Sequence, residues 1–133
     1  MRNVVGRPPF GWAEGLQYSQ AVTAGDLVFS SGQGGFGDDG EVVEGGFEAQ
    51  LRRTFANLDA SLGSLGASLA TIVKLTVYLV DRGDYEAFKR VRAEVLTAPW
   101  PASTAVVVRE LLVDGMLVEI DAVAVVGSSR LER

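Results

Sequence analysis

Residues 45–80 read "GGFEAQLRRTFANLDASLGSLGASLATIVKLTVYLV", and a change of period inside this stretch decides the fold. Phe47, Leu51, Phe55, Leu58, Leu62 and Leu65 recur at spacings of 4, 4, 3, 4 and 3. That rhythm is one continuous apolar stripe on a helix. Glu48, Arg52, Arg53 and Asp59 fall off the stripe. Gly66 stands where a helix closes on a left-handed residue, and Ser68 is placed to cap one further turn. The period then drops to two. "IVKLTVYLV" (72–80) puts Val73, Leu75, Val77 and Leu79 on one strand face, and Lys74, Thr76 and Tyr78 on the other.

The flanking segments repeat the two patterns. After "DRGD", Asp84 takes the N-cap position, and Tyr85, Phe88, Val91 and Val95 form a second helical stripe. It stops before "PWPASTAVVV" (99–108). Proline donates no backbone N–H and restricts its predecessor, so Pro99 and Pro101 mark a bend. A β-branched strand over about 103–109 follows. Ala102, Ser103 and Thr104 lie at its mouth, with two hydroxyls and no charge. "LLVDGMLVEIDAVAVV" (111–126) holds an Asp-Gly turn and a long final strand. Upstream, "QYSQAV" (17–22) and "LVFSSGQ" (27–33) alternate across Gly25-Asp26 as a hairpin. "GGFGDDGEVVEGG" (34–46) reads as a solvated loop.

The order β-β-α-β-α-β-β predicts an α+β domain, a mixed sheet with two helices on one face. One domain fills 1–133, with its core at about 17–126 and a flexible tail at 127–133. Two helices leave the other sheet face bare. Thr76, Tyr78, Val106, Val108, Val123 and Val125 include residues that must point there, and a largely apolar bare face is an association surface. A closed homo-oligomer is expected, and with it sites between subunits.

Composition removes whole classes of chemistry. The 133 residues include neither cysteine nor histidine, which excludes thiol nucleophiles, imidazole acid–base catalysis, Ser-His-Asp triads and ordinary zinc sites. Catalysis is left to carboxylates, hydroxyls, Tyr, Lys, Arg and backbone N–H groups. A net charge of −5 argues against a nucleic-acid partner. No apolar run reaches the roughly 18–20 residues that span a bilayer, and "MRNVVGRPPFGWAEG" has no signal-peptide core. A cytoplasmic protein without a membrane partner is expected.

Gly32, Gly34 and Gly37 satisfy G-x-G-x-x-G after a strand, but Asp38-Asp39-Gly40 follows where a phosphate-binding helix must begin. The nucleotide reading is rejected. Asp38, Asp39, Glu41, Glu44 and Glu48 lack the ligand spacing of a calcium loop. Glu119 and Asp121 sit two apart in the last strand and share a face. Carboxylates among apolar residues either pair with a cation, such as Lys74 or Arg109, or carry a raised pKa that suits them to handling water. Tyr18 and Ser31 lie on adjacent expected strands, where they are either ordinary sheet hydroxyls or two sides of one site.

Taken together, "YSQAV" (18–22), "GDLVFSSGQ" (25–33), "GGFEAQLRRTFANLDASL" (45–62), "SLATIVKLTVYLVDRGDYEAFKRV" (68–91), "PAST" (101–104) and "VEIDAVAV" (118–125) resemble the Rid/YjgF family, also called RidA-like or L-PSP endoribonuclease-like. The resemblance implies a chorismate-mutase-like homotrimer with a central barrel and three small-molecule clefts between subunits. It implies hydrolysis of reactive enamines and imines, such as 2-aminoacrylate, to 2-keto acids and ammonia. No cofactor or metal is implied. Mapped onto this chain, Tyr18, Ser31 and Gly32 border the cleft, Lys89 stands near a position often held by asparagine, and Asp121 takes the place of the glutamate that positions water. Where the deaminases read Pro-Ala-Arg-Ser, this chain reads Pro101-Ala102-Ser103-Thr104.

That departure removes a guanidinium–carboxylate contact worth about 1.5–3 kcal/mol. Efficient turnover of 2-aminoacrylate is therefore not expected, and Ser103 and Thr104 are left to hydrogen-bond a ligand. Lys89, Arg92 or Arg109 can restore the charge, and the sequence leaves open which of them reaches the cleft. The first functional expectation is a Rid-type hydrolase acting through Asp121 on an imine, enamine or related reactive metabolite. The alternative is a non-catalytic metabolite-binding or chaperone-like trimer. An endoribonuclease comes last, with no histidine and a net negative charge.

Overall fold

The structure, a computed structural model, describes residues 3–127 and 131–132. Strands β1 (Ala21–Ala24) and β2 (Leu27–Ser30) form a hairpin, followed by α1 (Gly46–Gly63), β3 (Ile72–Leu79), α2 (Tyr85–Val95), β4 (Ala102–Val107) and β5 (Val118–Val125). Short 3-10 turns precede the hairpin, β3 and α2. The sheet order is β1-β2-β5-β3-β4. Only β3 and β4 run parallel; every other neighbouring pair is antiparallel. The α+β fold and element order match the sequence reading. Among the described residues no helix is long and apolar enough to cross a membrane.

The core forms where the α1 and α2 stripes meet the inward face of the sheet. Leu51, Phe55, Leu58 and Leu62 of α1 and Phe88 and Val91 of α2 bury against Val28, Leu75, Val77, Val118 and Ile120. Each such side chain contributes about 1.5–3 kcal/mol through area removed from water. The helix end at Gly66 is as expected. At φ +81 it lets Ala67 N–H reach Leu62 O, and its own N–H reach Gly63 O. Ser68 and Thr71 complete a reciprocal cap on the turn before β3. Outside the core, Glu48 accepts from both Arg52 and Arg90, and Arg52 also binds Glu94 at 2.5 Å, tying α1 to α2 across their exposed sides.

Several expectations are corrected. β1 begins at Ala21 rather than 17, β2 ends at Ser30 rather than 33, and β4 spans 102–107 rather than about 103–109. Val73 is not on the core face. A bulge between Ile72 and Lys74 adds a residue to β3, so Ile72 is buried and Val73 is turned aside. Asp84 precedes α2 but makes no side-chain cap; Asp81 instead accepts from Gly83 N–H one turn earlier. The glycine-rich loop is not solvated throughout, since Gly34 and Gly35 are buried. A Cβ on Gly35 would stand 2.7 Å from both Cα and O of Gln50, so loop and helix touch backbone to backbone. No helix opens at Gly32–Gly37, in keeping with rejection of the nucleotide motif. Of the tail at 127–133, Ser128–Arg130 and Arg133 lie outside the described residues.

The second sheet face is bare. Val22 and Phe29 pair across the hairpin and Phe29 pairs with Val123, so an apolar row crosses three strands. Val106 continues the apolar surface on the edge strand β4, opposite Tyr78.

Candidate functional site

Strand alternation places Glu119 and Asp121 together on this bare face, in the middle strand of the sheet. Tyr78 stands opposite Glu119 and reaches across to Asp121, its hydroxyl 3.2 Å from Oδ2. The negative charge of Asp121, then burial, raises the Tyr78 pKa above the ordinary tyrosine value, so the hydroxyl stays protonated as a donor. Glu119 is half-buried, and burial, followed by the charge of Asp121, raises its pKa. Neither carboxylate forms an ion pair among the described residues. The pairing with Lys74 or Arg109 weighed from sequence is absent: Lys74 Nζ instead donates to Thr104 Oγ at 2.6 Å.

Gly32 decides where the Glu119 side chain lies. The bridge from Gln33 to Ile120, with N–H···O distances of 2.8 and 3.0 Å in the two directions, brings the end of the β2 segment alongside β5. A Cβ on Gly32 would then stand 2.7 Å from Glu119 Cδ and 2.8 Å from Oε2. Beside it, Ser31 Oγ donates to Ser19 O at 2.5 Å, tying the segment to the residue that follows Tyr18. Tyr18 is itself exposed, on the wall of an open pocket of about 700 Å³ formed with residues 5–20.

The remaining candidates lie elsewhere. Ser103 and Thr104 point to opposite faces. Thr104 pairs with Thr76 on the bare face, while Ser103 pairs with the core residue Leu75 on the helical side. Ser103 there shares a pocket of about 320 Å³ with Lys89, Arg92 and Trp100, from which Arg109 is absent. One chain thus gathers Ser31 and Gly32 with Glu119 and Asp121 at β5, keeps Tyr18 in the open pocket of the N-terminal segment, and sets Lys89 and Ser103 on the helical side of β4.

Buried amides hold this arrangement, and the sequence reading did not single them out. Gln33 donates to Gln20 Oε1 at 2.9 Å. Asn57 Nδ2 donates to both Gly34 O and Phe36 O at 2.9 Å, and Gln50 binds Gly115 O and Leu117 N. The signal was available in principle, since Gln50, Thr54 and Asn57 lie on the edge of the apolar stripe of α1. Polar side chains that close to a buried face must find partners.

Fold and site define a class: a small α+β domain with two helices on one sheet face and a polar cluster set into its bare, partly apolar other face. Residues 13–126 match the family described as Endoribonuclease L-PSP, and the chain belongs to that family, the RidA/YjgF proteins. A RutC family protein of Pyrococcus abyssi is 39% identical over 108 residues, covering 80% of this chain and 84% of the relative. A 2-iminobutanoate/2-iminopropanoate deaminase of Dermatophagoides farinae is 33% identical over 110 residues, 82% of this chain and 85% of that one. The crystal structure of RidA from an Antarctic Psychrobacter superposes with a TM-score of 0.80 at 38% identity, covering 86% of this chain and 92% of that chain.

Proposed function

We propose that the chain is a hydrolase of imines or enamines, working in clefts between the subunits of a homotrimer. The observation that carries this is the half-buried Glu119 carboxylate, raised in pKa and laid against Gly32 beside Ser31. The deaminase of D. farinae supports the reaction class. The separation of the two residue groups supports the trimer, because a neighbouring copy can bring its β4 edge, with Lys89 and Ser103, to the Glu119 side of the next chain. The apolar row through Val22, Phe29 and Val123 supplies a surface to cover.

In this reading Glu119 rather than Asp121 handles the proton, because Asp121 is engaged by Tyr78. Burial raises the Glu119 pKa above the ordinary carboxylate value, which makes it a better proton acceptor than an exposed carboxylate. Glu119 takes a proton from water as the oxygen bonds to the imine carbon, then returns it to the departing nitrogen. Imine plus water gives ketone plus ammonia, and an enamine first takes a proton on carbon to become the imine. Tyr18 and Ser31 border the substrate. The test generates imino acids in place with an amino-acid oxidase and times ketone release against spontaneous hydrolysis. Acceleration that Glu119→Gln removes supports the proposal. Binding of metabolites without acceleration would overturn the hydrolase reading in favour of a non-catalytic metabolite-binding protein.

A further inference from the structure

The pocket between α2 and the mouth of β4 has a charge opposite to that of the chain. The protein carries −5 overall, yet this pocket of about 320 Å³ is lined by two cations, Lys89 and Arg92, and by no carboxylate. Lys89 is partly neutralised by Glu86 at 2.9 Å and lies over the Tyr85 ring. Arg92 has no carboxylate partner among the described residues, and its guanidinium is held 5.0 Å above the Phe88 ring. That cation–π contact holds the group beside the pocket, and without a carboxylate partner among the described residues its N–H donors are left for a ligand. Ser103 adds a hydroxyl to the same pocket, and Trp100 and Pro101 give an apolar wall.

We infer that this pocket anchors the carboxylate of the substrate through Arg92, with Lys89 assisting, and selects an acid whose body is branched or aromatic. A planar guanidinium with a free edge matches a carboxylate in two parallel hydrogen bonds. The indole of Trp100 rewards an apolar body larger than a methyl group. Short imino acids leave that wall uncovered. The inference rests on the proposed hydrolase only in identifying the anion as the substrate's own; the binding stands apart from turnover.

The experiment measures binding, so that the two ideas fail separately. The probes are 4-methyl-2-oxopentanoate, its methyl ester, and pyruvate, titrated into the full chain and followed by the Trp100 indole and Ser103 amide resonances. The branched acid is expected to shift both signals and to bind at least about 10-fold tighter than its neutral ester, as a charge-assisted contact requires. Pyruvate should bind more weakly than the branched acid. Arg92→Gln should weaken the branched acid by about 10-fold or more, and Arg92→Lys should recover part of that. Equal binding of acid and ester, no shift with either, or an Arg92→Gln affinity equal to wild type overturns the inference. Arg92-dependent binding without imine hydrolysis overturns the proposed function and leaves this site standing. Hydrolysis with Arg92-independent binding does the reverse.

Discussion

The Glu119 side chain lies on the backbone of Gly32: a Cβ there would come within 2.7 Å of Glu119 Cδ and 3.1 Å of its Cγ. No left-handed backbone requires this glycine, so it is open space for the carboxylate that any other residue would remove. Gly32→Ala should therefore separate folding from function. The obstructing atoms belong to the far end of a flexible side chain, which can swing away at a cost of about 1 kcal/mol or less. The displaced carboxylate should lose on the order of 100-fold in the rate of imine hydrolysis. Denaturation midpoint and turnover, measured on one preparation, check both halves.

Gly35 gives the contrasting case. Its neighbours are backbone, Cα and O of Gln50 at 2.7 Å, and backbone cannot swing aside. Gly35→Ala should force α1 off the loop and destabilise the fold by about 1–3 kcal/mol. Urea denaturation checks it against Gly32→Ala, and the larger loss should fall on Gly35.

Asn57 holds two carbonyls with one amide, Gly34 O and Phe36 O. Asn57→Ala leaves both without that donor near the buried start of the loop, at about 1–3 kcal/mol for each group that finds no water. Isosteric Asn57→Asp, which cannot donate, should be at least as damaging at neutral pH. Thermal denaturation of the two variants tests this.

Glu119 makes stability depend on pH in a definite direction. Burial raises its pKa in the folded state above the ordinary carboxylate value, so the folded protein holds this proton at pH values where the unfolded chain has lost it. Its contribution is most favourable below the unfolded pKa and is lost as pH rises through the raised folded value. Glu119→Gln removes the titration. The variant should gain stability relative to wild type as pH rises from the ordinary glutamate value through the raised one, read as diverging urea midpoints. Parallel midpoints across that range would place Glu119 in a wetter setting than its burial implies.

These residues also show what the sequence carried and what it withheld. The 3.6-residue stripe of α1, the Gly25-Asp26 hairpin and the Schellman-type end at Gly66 were readable because each is local: periodicity and backbone conformation need no distant partner. The bulge that turns Val73 aside was not readable. It is set by pairing with β5, some fifty residues away in the chain. The same limit separated Ser103 from Thr104, which look alike in sequence but point to opposite faces. Asp121 and Glu119 could be placed on one face by parity, yet only the arrival of Gly32 and Tyr78 from other strands gives them different surroundings. The charge in the Ser103 pocket comes from α2 while the hydroxyl comes from β4, so the choice among Lys89, Arg92 and Arg109 depends on how that helix packs against the strand.

The proposed trimer makes the last prediction, because it ties the bare face to activity. Phe29 sits in the apolar row between Val22 and Val123, exposed in the single chain, further along β5 than Glu119 and outside the lining of the Arg92 pocket. An ammonium in that row has no carboxylate opposite it in the pairing register, so Phe29→Lys should be tolerated in a monomer and penalised wherever another subunit covers the face. Wild type should scatter light as about three times the 14.1 kDa chain, and the variant should fall toward one chain mass with its circular dichroism retained. Hydrolysis should fall with the mass, because the Glu119 side and the Ser103 side would no longer meet. A monomeric wild type, or a monomeric variant with full activity, would mean that one chain builds the whole site, and the division of residues between two subunits would have to be abandoned.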